Sequence, residues 1–87
     1  MRPLYSVFLS KQAVKSVQEM PEGQKEKLRE AFNVMKHNAF SYPYQKIQGE
    51  SHLYRIRIGD YRVLYEINDQ SKIIMVIKVD HRNKVYK

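Results

Sequence analysis

The sequence has 87 residues, the length of one small domain, and we treat residues 1–87 as a single domain. It contains no cysteine, which excludes disulfides, thiol nucleophiles and cysteine-ligated zinc. Sixteen Lys and Arg residues against nine Asp and Glu residues give a net charge of +7. This surplus predicts a polyanionic partner such as nucleic acid, an anionic membrane or an acidic protein.

A membrane location is not expected. The longest apolar run, Ile73–Ile77, has five residues, whereas a transmembrane helix needs about 20. The apolar stretch at the start of the sequence is interrupted by Ser6 and Ser10, and no signal-peptide cleavage site follows it. Together with the lack of cysteine, these observations favour a cytoplasmic protein.

The first half of the chain predicts a strand and two helices. Residues Leu4–Leu9 form the predicted strand, and apolar groups on both of its faces indicate that it is covered on both sides. Ser10 is a good N-cap for a helix over residues 11–20. After a break at residues 21–23, a second helix over residues 24–37 has an apolar stripe formed by Leu28, Ala31, Phe32 and Met35.

The second half predicts three strands. A loop over residues 38–44 leads to strands over residues 53–58 and 61–67, which are joined by a Gly-Asp turn typical of a type II′ hairpin. The third strand, residues 73–79, is almost wholly apolar and is placed centrally in the sheet. The order β-α-α-β-β-β predicts an α+β fold, a mostly antiparallel sheet with an N-terminal helical hairpin packed on one face.

The two-residue turn fixes the hairpin register and brings arginines together. Arg57 then faces Arg62, and Arg55 lies on the same face, opposite to the apolar face. Like charges opposite each other on a sheet cost a few tenths to about 1 kcal/mol. A one-residue slip would bury the arginines, which supports this register. A bound anion explains the pairing, and the alternative is a solvated outer face.

An arginine cluster is suited to phosphate chemistry. Guanidinium groups bind phosphate oxygens in a bidentate manner and keep their charge. If the substrate is RNA, its own 2′-hydroxyl attacks the adjacent phosphodiester, and the protein supplies charge stabilisation and positioning. The three histidines lack metal-ligand spacing, and there is no carboxylate cluster or Gly-rich phosphate loop. We therefore expect no metal and no cofactor.

Two stretches, LYRIRIGDYRVLYEI and IMVIKVDHRNKVYK, resemble the C-terminal half of RelE-type toxins of bacterial and archaeal toxin–antitoxin systems. The predicted order of elements matches that family across essentially the whole chain. The resemblance implies a ribosome-dependent endoribonuclease that cleaves mRNA in the A site and so inhibits translation. It also implies neutralisation by a cognate antitoxin.

The resemblance implies a role for each of five catalytic residues. Arg55 and Arg57 match the two basic residues of the first hairpin strand, which contact the substrate and abstract a proton. Arg62 matches the arginine that stabilises transition-state charge, and Arg82 the one that acts on the leaving group. Tyr86 matches the C-terminal tyrosine that stacks on a base.

Additional side chains are candidates for the same site. His81 occupies a position where some relatives use a histidine as acid or base, or for substrate contact. Further RNA contacts are predicted for Lys46, Lys78 and Lys84. Because arginine is effectively always protonated and is a poor general base, the arginine pair shifts the expected catalysis towards electrostatics and positioning, or towards His81.

Two alternatives stay open from the sequence. One is a ParE-type toxin, which shares the fold and inhibits DNA gyrase. The other is a non-catalytic module that binds its antitoxin, with operator DNA bound by the toxin–antitoxin hetero-oligomer. Retention of the arginines and Tyr86 favours the nuclease. An adjacent gene for a short acidic antitoxin with a DNA-binding end is expected for the toxin–antitoxin system.

Overall fold

Two helices and a five-stranded sheet make up the part of the chain that the computed structural model describes, residues 4–49 and 52–82. In chain order the elements are β1 (Ser6–Leu9), α1 (Lys11–Gln18), α2 (Glu22–His37), β2 (Gln45–Lys46), β3 (Leu53–Ile58), β4 (Tyr61–Asn68) and β5 (Ile73–His81). The strand order across the sheet is β1-β5-β4-β3-β2. Among the strands of the described residues, only β1 and β5 pair in parallel, which confirms the predicted α+β class.

The start of α1 follows the sequence signal, whereas the boundary between the helices differs from the prediction. The Ser10 hydroxyl accepts a hydrogen bond from the backbone N–H of Ala13 at 3.1 Å, so it is the N-cap. Helix α1 ends at Gln18, and α2 already begins at Glu22. The Pro21 carbonyl accepts from two N–H groups of the first turn, so residues 22 and 23 belong to α2 rather than to a break.

The core lies between the helices and one face of the sheet. Ile56, Ile58, Val63, Tyr65 and Ile67 are buried on that face, which confirms the predicted apolar side of the hairpin. Strand β5 adds Ile74, Val76 and Val79 to the same face of the sheet. The two helices supply the side chains that face it, which include Ala13, Leu28, Ala31 and Met35.

A bulge in β5 explains why its sequence does not alternate. Leu64 pairs with Lys78, but the next residue, Tyr65, pairs with Val76, so Ile77 is an extra residue without a cross-strand partner. Val76 and Val79 therefore both face the core although three positions separate them. Because the period of two breaks here, spacing alone does not reveal which residues of this strand share a face.

Helix α1 covers the edge of β5 beyond the end of β1. Pairing between β1 and β5 stops at Leu9 and Val76. From there, the Ser10 hydroxyl donates to the carbonyl of Ile77 at 2.6 Å. The Gln12 amide accepts from the N–H of Val79 at 3.0 Å and donates to its carbonyl at 3.1 Å. One glutamine side chain thus takes the place of a neighbouring strand at Val79.

The β3–β4 turn has the predicted conformation. Gly59 has a φ of +57°, while Lys72 is the only non-glycine residue with positive φ in the described part of the chain. Asp60 therefore has negative φ, as a type II′ turn requires. The predicted register follows, with Ile58 opposite Tyr61 and Arg57 opposite Arg62.

The second face of the sheet is open, contrary to the prediction for the first strand. Phe8 is 49% exposed and pairs with Met75, which is 37% exposed, so β1 is covered on one side only. The predicted loop after α2 is followed by a fifth strand, the two-residue β2. Pro43 lacks the N–H that further pairing with β3 would use, so the strand begins only at Gln45.

Candidate functional site

Three charged residues form a row across the open face of the sheet near the β3–β4 turn. Arg57 on β3 faces Arg62 on β4, and Arg62 in turn faces Asp80 on β5. Since neighbouring strands lie about 4.8 Å apart, the two guanidinium stems leave the sheet side by side. Arg55 and Lys78 flank the row on this face, each opposite Leu64. We call Arg55, Arg57, Arg62 and Lys78 the basic face.

Asp80 is the acidic member that the sequence did not single out. It is 5% exposed, the only buried charged residue in the described part of the chain. Its carboxylate accepts from the Gln12 amide at 3.2 Å and lies 3.6 Å from the Lys78 ammonium. A negative charge opposite Arg62 offsets part of the repulsion between Arg57 and Arg62. The pairing of Asp80 with Arg62 could not be predicted from the sequence, because the bulge determines which β5 residues share a face with Arg62.

Arg82 is held at the same end of the sheet. Its backbone N–H donates to the carbonyl of Asp60 at 2.7 Å, and its Nε lies 3.8 Å from a carboxylate oxygen of Asp60. Asp60 belongs to the β3–β4 turn that follows Arg57 and precedes Arg62 along the chain. The structure thus brings Arg82 to the turn end of the basic face. Tyr86 and Lys84 lie outside the described residues.

His81 is separated from the arginines. It pairs with Tyr61 across β4 and β5, and the two rings meet edge to face with centroids 5.1 Å apart. Tyr61 belongs to the core face of the sheet, so His81 points to the helical side, where it lines a cavity of about 140 Å³ with Ser16 and Glu19. This placement does not support proton transfer by His81 at the basic face.

Lys46 also points away from the basic face. It pairs with Tyr54, whose side chain packs against the core, and Lys46 itself is exposed. Its neighbour Gln45 pairs with Arg55, and the Arg55 guanidinium donates to the Gln45 side-chain carbonyl. The β2 residue that shares the basic face is therefore Gln45 rather than the lysine that the sequence suggested.

One arginine on the helices is paired with acidic neighbours. On α2, Arg29 lies 2.6 Å from Glu26 and 3.5 Å from Glu22. In the described residues the Arg57 guanidinium, by contrast, makes no hydrogen bond or ion pair. Arg57 is therefore a positive charge on the open face of the sheet that no described residue neutralises.

The basic face is suited to bind and stabilise a phosphate. Its cationic side chains project from three adjacent strands of a rigid sheet, which fixes their spacing. They supply hydrogen-bond donors and positive charge, and the arginines accept no protons. In the described residues, no three His, Asp or Glu side chains come close enough together to hold a metal ion. The chemistry available here is electrostatic.

Comparisons with known proteins show which family this chain resembles. None of the helices in the described residues has the length and apolarity to cross a membrane. Residues 7–86 match the family model described as ParE toxin of type II toxin-antitoxin system, parDE. A candidate RelE1 toxin of Methanocaldococcus jannaschii is 27% identical over 86 residues, which cover 95% of this chain and 96% of that protein.

Two solved structures are similar over nearly the whole chain. The archaeal RelE–RelB complex of Pyrococcus horikoshii OT3 matches with a TM-score of 0.78 and 29% identity, over 94% of this chain and 99% of that one. The toxin–antitoxin complex RelBE2 of Mycobacterium tuberculosis matches with a TM-score of 0.76 and 25% identity, over 91% and 99%. The predicted resemblance to RelE-type toxins is confirmed.

Proposed function

This chain belongs to the ParE toxin family of type II toxin–antitoxin systems, and we propose that it is a ribosome-dependent endoribonuclease that cleaves mRNA in the A site. The observation that supports this proposal is the opposed pair Arg57 and Arg62, with Arg82 anchored at the same end of the sheet. A phosphate bound between these groups explains why two like charges are kept face to face.

The reaction in this proposal is transfer of a phosphodiester within the RNA. The 2′-oxygen forms a bond to the adjacent phosphorus, the bond from phosphorus to the 5′-oxygen breaks, and a 2′,3′-cyclic phosphate and a 5′-hydroxyl result. The 2′-hydroxyl loses its proton, and the departing 5′-oxygen gains one. Arg57 and Arg62 stabilise the extra negative charge on the phosphorane, and Arg82 neutralises the leaving oxygen. Arg55 contacts the substrate, and Tyr86 stacks on a base.

The open shape of the site supports the proposed dependence on the ribosome. The basic face is an open sheet surface and does not enclose its substrate. Such a surface stabilises charge but does little to force the RNA into the in-line geometry that the attack requires. The ribosomal A site supplies that alignment in this proposal, and Lys78 and Lys84 add RNA contacts. Neither a metal nor a cofactor takes part.

A cognate antitoxin is the expected protein partner. The similar proteins from Pyrococcus horikoshii and Mycobacterium tuberculosis were solved as complexes with their antitoxins. In this chain the paired residues Phe8 and Met75 expose apolar surface on the open face of the sheet. Exposed apolar surface of this kind is typical of a protein interface. We propose that an antitoxin covers it in the cytoplasm, in a hetero-oligomer that binds operator DNA.

Inhibition of DNA gyrase is the second candidate, because the matching family model is that of ParE toxins. The two functions are separated by assaying the same purified toxin for mRNA cleavage on programmed ribosomes and for gyrase supercoiling. We expect A-site cleavage with cyclic-phosphate ends and unchanged supercoiling. Intact mRNA together with inhibited supercoiling would contradict the nuclease proposal.

A further inference from the structure

A groove lies beside the basic face, where β2 separates from β3. Pairing of the two strands ends at Gln45 and Arg55, and Pro43 turns the preceding chain away from β3. The space between them has a volume of about 330 Å³. It is lined on one side by Tyr42, Pro43, Tyr44 and Gln45, and on the other by Arg55, Ile56 and Arg57.

The groove runs around the edge of the sheet, because Tyr44 lies beside Tyr54, on the side opposite to the basic face. The Tyr44 ring is a supported aromatic surface at this edge. It contacts Phe40 and Tyr54 edge to face, with centroids 5.8 and 5.4 Å away, and Tyr54 stacks in turn on the buried Tyr65. Although these rings hold it, Tyr44 remains 42% exposed. Little conformational entropy is therefore lost when a flat ligand stacks on it.

The opposite wall supplies cationic donors. Arg55 is oriented by its hydrogen bond to Gln45, which leaves its remaining N–H groups available. Arg57 is exposed and belongs to both this wall and the proposed phosphate site. A ligand that binds here presents negative charge to the arginines and a flat ring to the tyrosine, and a nucleotide of single-stranded RNA has both.

We propose that this groove binds the base of an unpaired nucleotide next to the cleaved phosphate, stacked on Tyr44, with its own phosphate on Arg55 and Arg57. This inference rests on the proposed nuclease function and names a substrate subsite for it. The groove continues from the shared residue Arg57 towards the β2 edge. The subsite therefore sets the direction in which the RNA leaves the basic face.

The test is binding of a fluorescent 2′-O-methyl hexanucleotide, which lacks the attacking hydroxyl, to the full-length toxin freed of antitoxin. Replacing Tyr44 with leucine is expected to weaken binding about tenfold, the loss of one stacked base, whereas Tyr44→Phe stays within about twofold. Val14→Ala removes a similarly exposed apolar side chain on α1, outside the groove, and is the control, expected to bind as wild type. Binding of inorganic tripolyphosphate is expected to be unchanged in Tyr44→Leu, which shows that the arginine wall is intact.

An abasic nucleotide provides the second arm. The affinity of wild-type protein for the hexanucleotide is expected to fall about tenfold when one base is removed. The affinity of Tyr44→Leu is expected not to change when the same base is removed. Equal affinities of wild type and Tyr44→Leu for the hexanucleotide, or no detectable binding by the wild type, would overturn the inference. A failure of A-site cleavage with these binding results intact would instead count against the proposed nuclease function.

Discussion

Asp80 is a single residue on which the arrangement of the basic face depends. Its buried carboxylate lies opposite Arg62, within hydrogen-bond distance of Gln12 and near Lys78. Its negative charge offsets part of the positive charge of Arg57 and Arg62, whose side chains stay accessible to an anion from solvent. The sequence showed this residue only as an aspartate at the end of an apolar run.

Replacing Asp80 with asparagine is expected to lower the free energy of unfolding by about 1–3 kcal/mol, because the amide keeps the shape but removes the charge opposite Arg62. Urea denaturation near neutral pH measures the change. The exposed substitution Glu30→Gln is the control, with an effect below about 0.5 kcal/mol. Equal stability of Asp80→Asn and wild type would show that the carboxylate does not balance the arginines.

A second residue-scale network ties β1 to the β4–β5 turn. The Tyr5 hydroxyl donates to Asp69, and the Lys72 ammonium lies 3.2 Å from the same carboxylate. The bond from Tyr5, followed by that from Lys72, lowers the pKa of Asp69 below its ordinary value. The same bond to Asp69, together with burial, raises the pKa of Tyr5.

The network is expected to stabilise the fold only within a window of pH. The contribution of Asp69 is complete above its unfolded pKa, near pH 4, and is lost as the pH falls through the lower folded pKa. The contribution of Tyr5 is complete below about pH 10 and is lost as the pH rises through its raised pKa. The stability difference between wild type and Tyr5→Phe, measured by urea denaturation, should therefore shrink towards both extremes. A constant difference would contradict the network.

At the scale of elements, the sequence was informative wherever turn chemistry or periodicity was strict. The Gly59–Asp60 turn determined the β3–β4 register and hence the opposed arginines. Strand β5 and its interior position were predicted, but its faces could not be assigned because the bulge at Ile77 changes its period. Strand β2 was not predicted because two residues show no period. The parallel pairing of β1 with β5 depends on tertiary packing, which local patterns do not report.

The turn itself is open to a direct test. A Cβ at Gly59 would clash with the side-chain oxygen of Gln24 on α2, and the backbone there has positive φ. Gly59→Ala is expected to cost about 1–3 kcal/mol in urea denaturation. Adding Gln24→Ala should recover part of this loss. Gly49→Ala, also at positive φ but in open space, is the control for backbone strain, and its free energy of unfolding is expected to fall by about 1 kcal/mol. Equal losses at Gly59 and Gly49 would exclude the contact with Gln24.

For the whole molecule, the positive charge is distributed between the helices and the open face of the sheet. Part of the positive charge is neutralised locally, as on α2, where Arg29 is paired with Glu22 and Glu26. Another part lies on the open sheet face, where the strands hold Arg55, Arg57 and Arg62 at fixed spacing. The composition alone predicted an anionic partner. The sheet register adds the location, because it places the arginines next to one another on one face.

Binding to ribosomes is expected to weaken steeply as the salt concentration rises, because phosphate contacts release counterions. Arg57→Ala should reduce the slope of log affinity against log salt by about 1, the effect of one lost phosphate contact. Arg29→Ala is the matched control, since that residue is already ion-paired, and its slope should equal that of wild type. A flat salt response of the wild-type protein would remove the case for the basic face.

If the opposed arginines stabilise the transition state of mRNA cleavage, removing one of them lowers the single-turnover rate of A-site cleavage on programmed ribosomes. We expect Arg62→Ala to cleave roughly 10² to 10³-fold more slowly than wild type at saturating toxin, and Arg29→Ala to cleave at the wild-type rate. Equal cleavage rates for Arg62→Ala and wild type would contradict this role of the arginines.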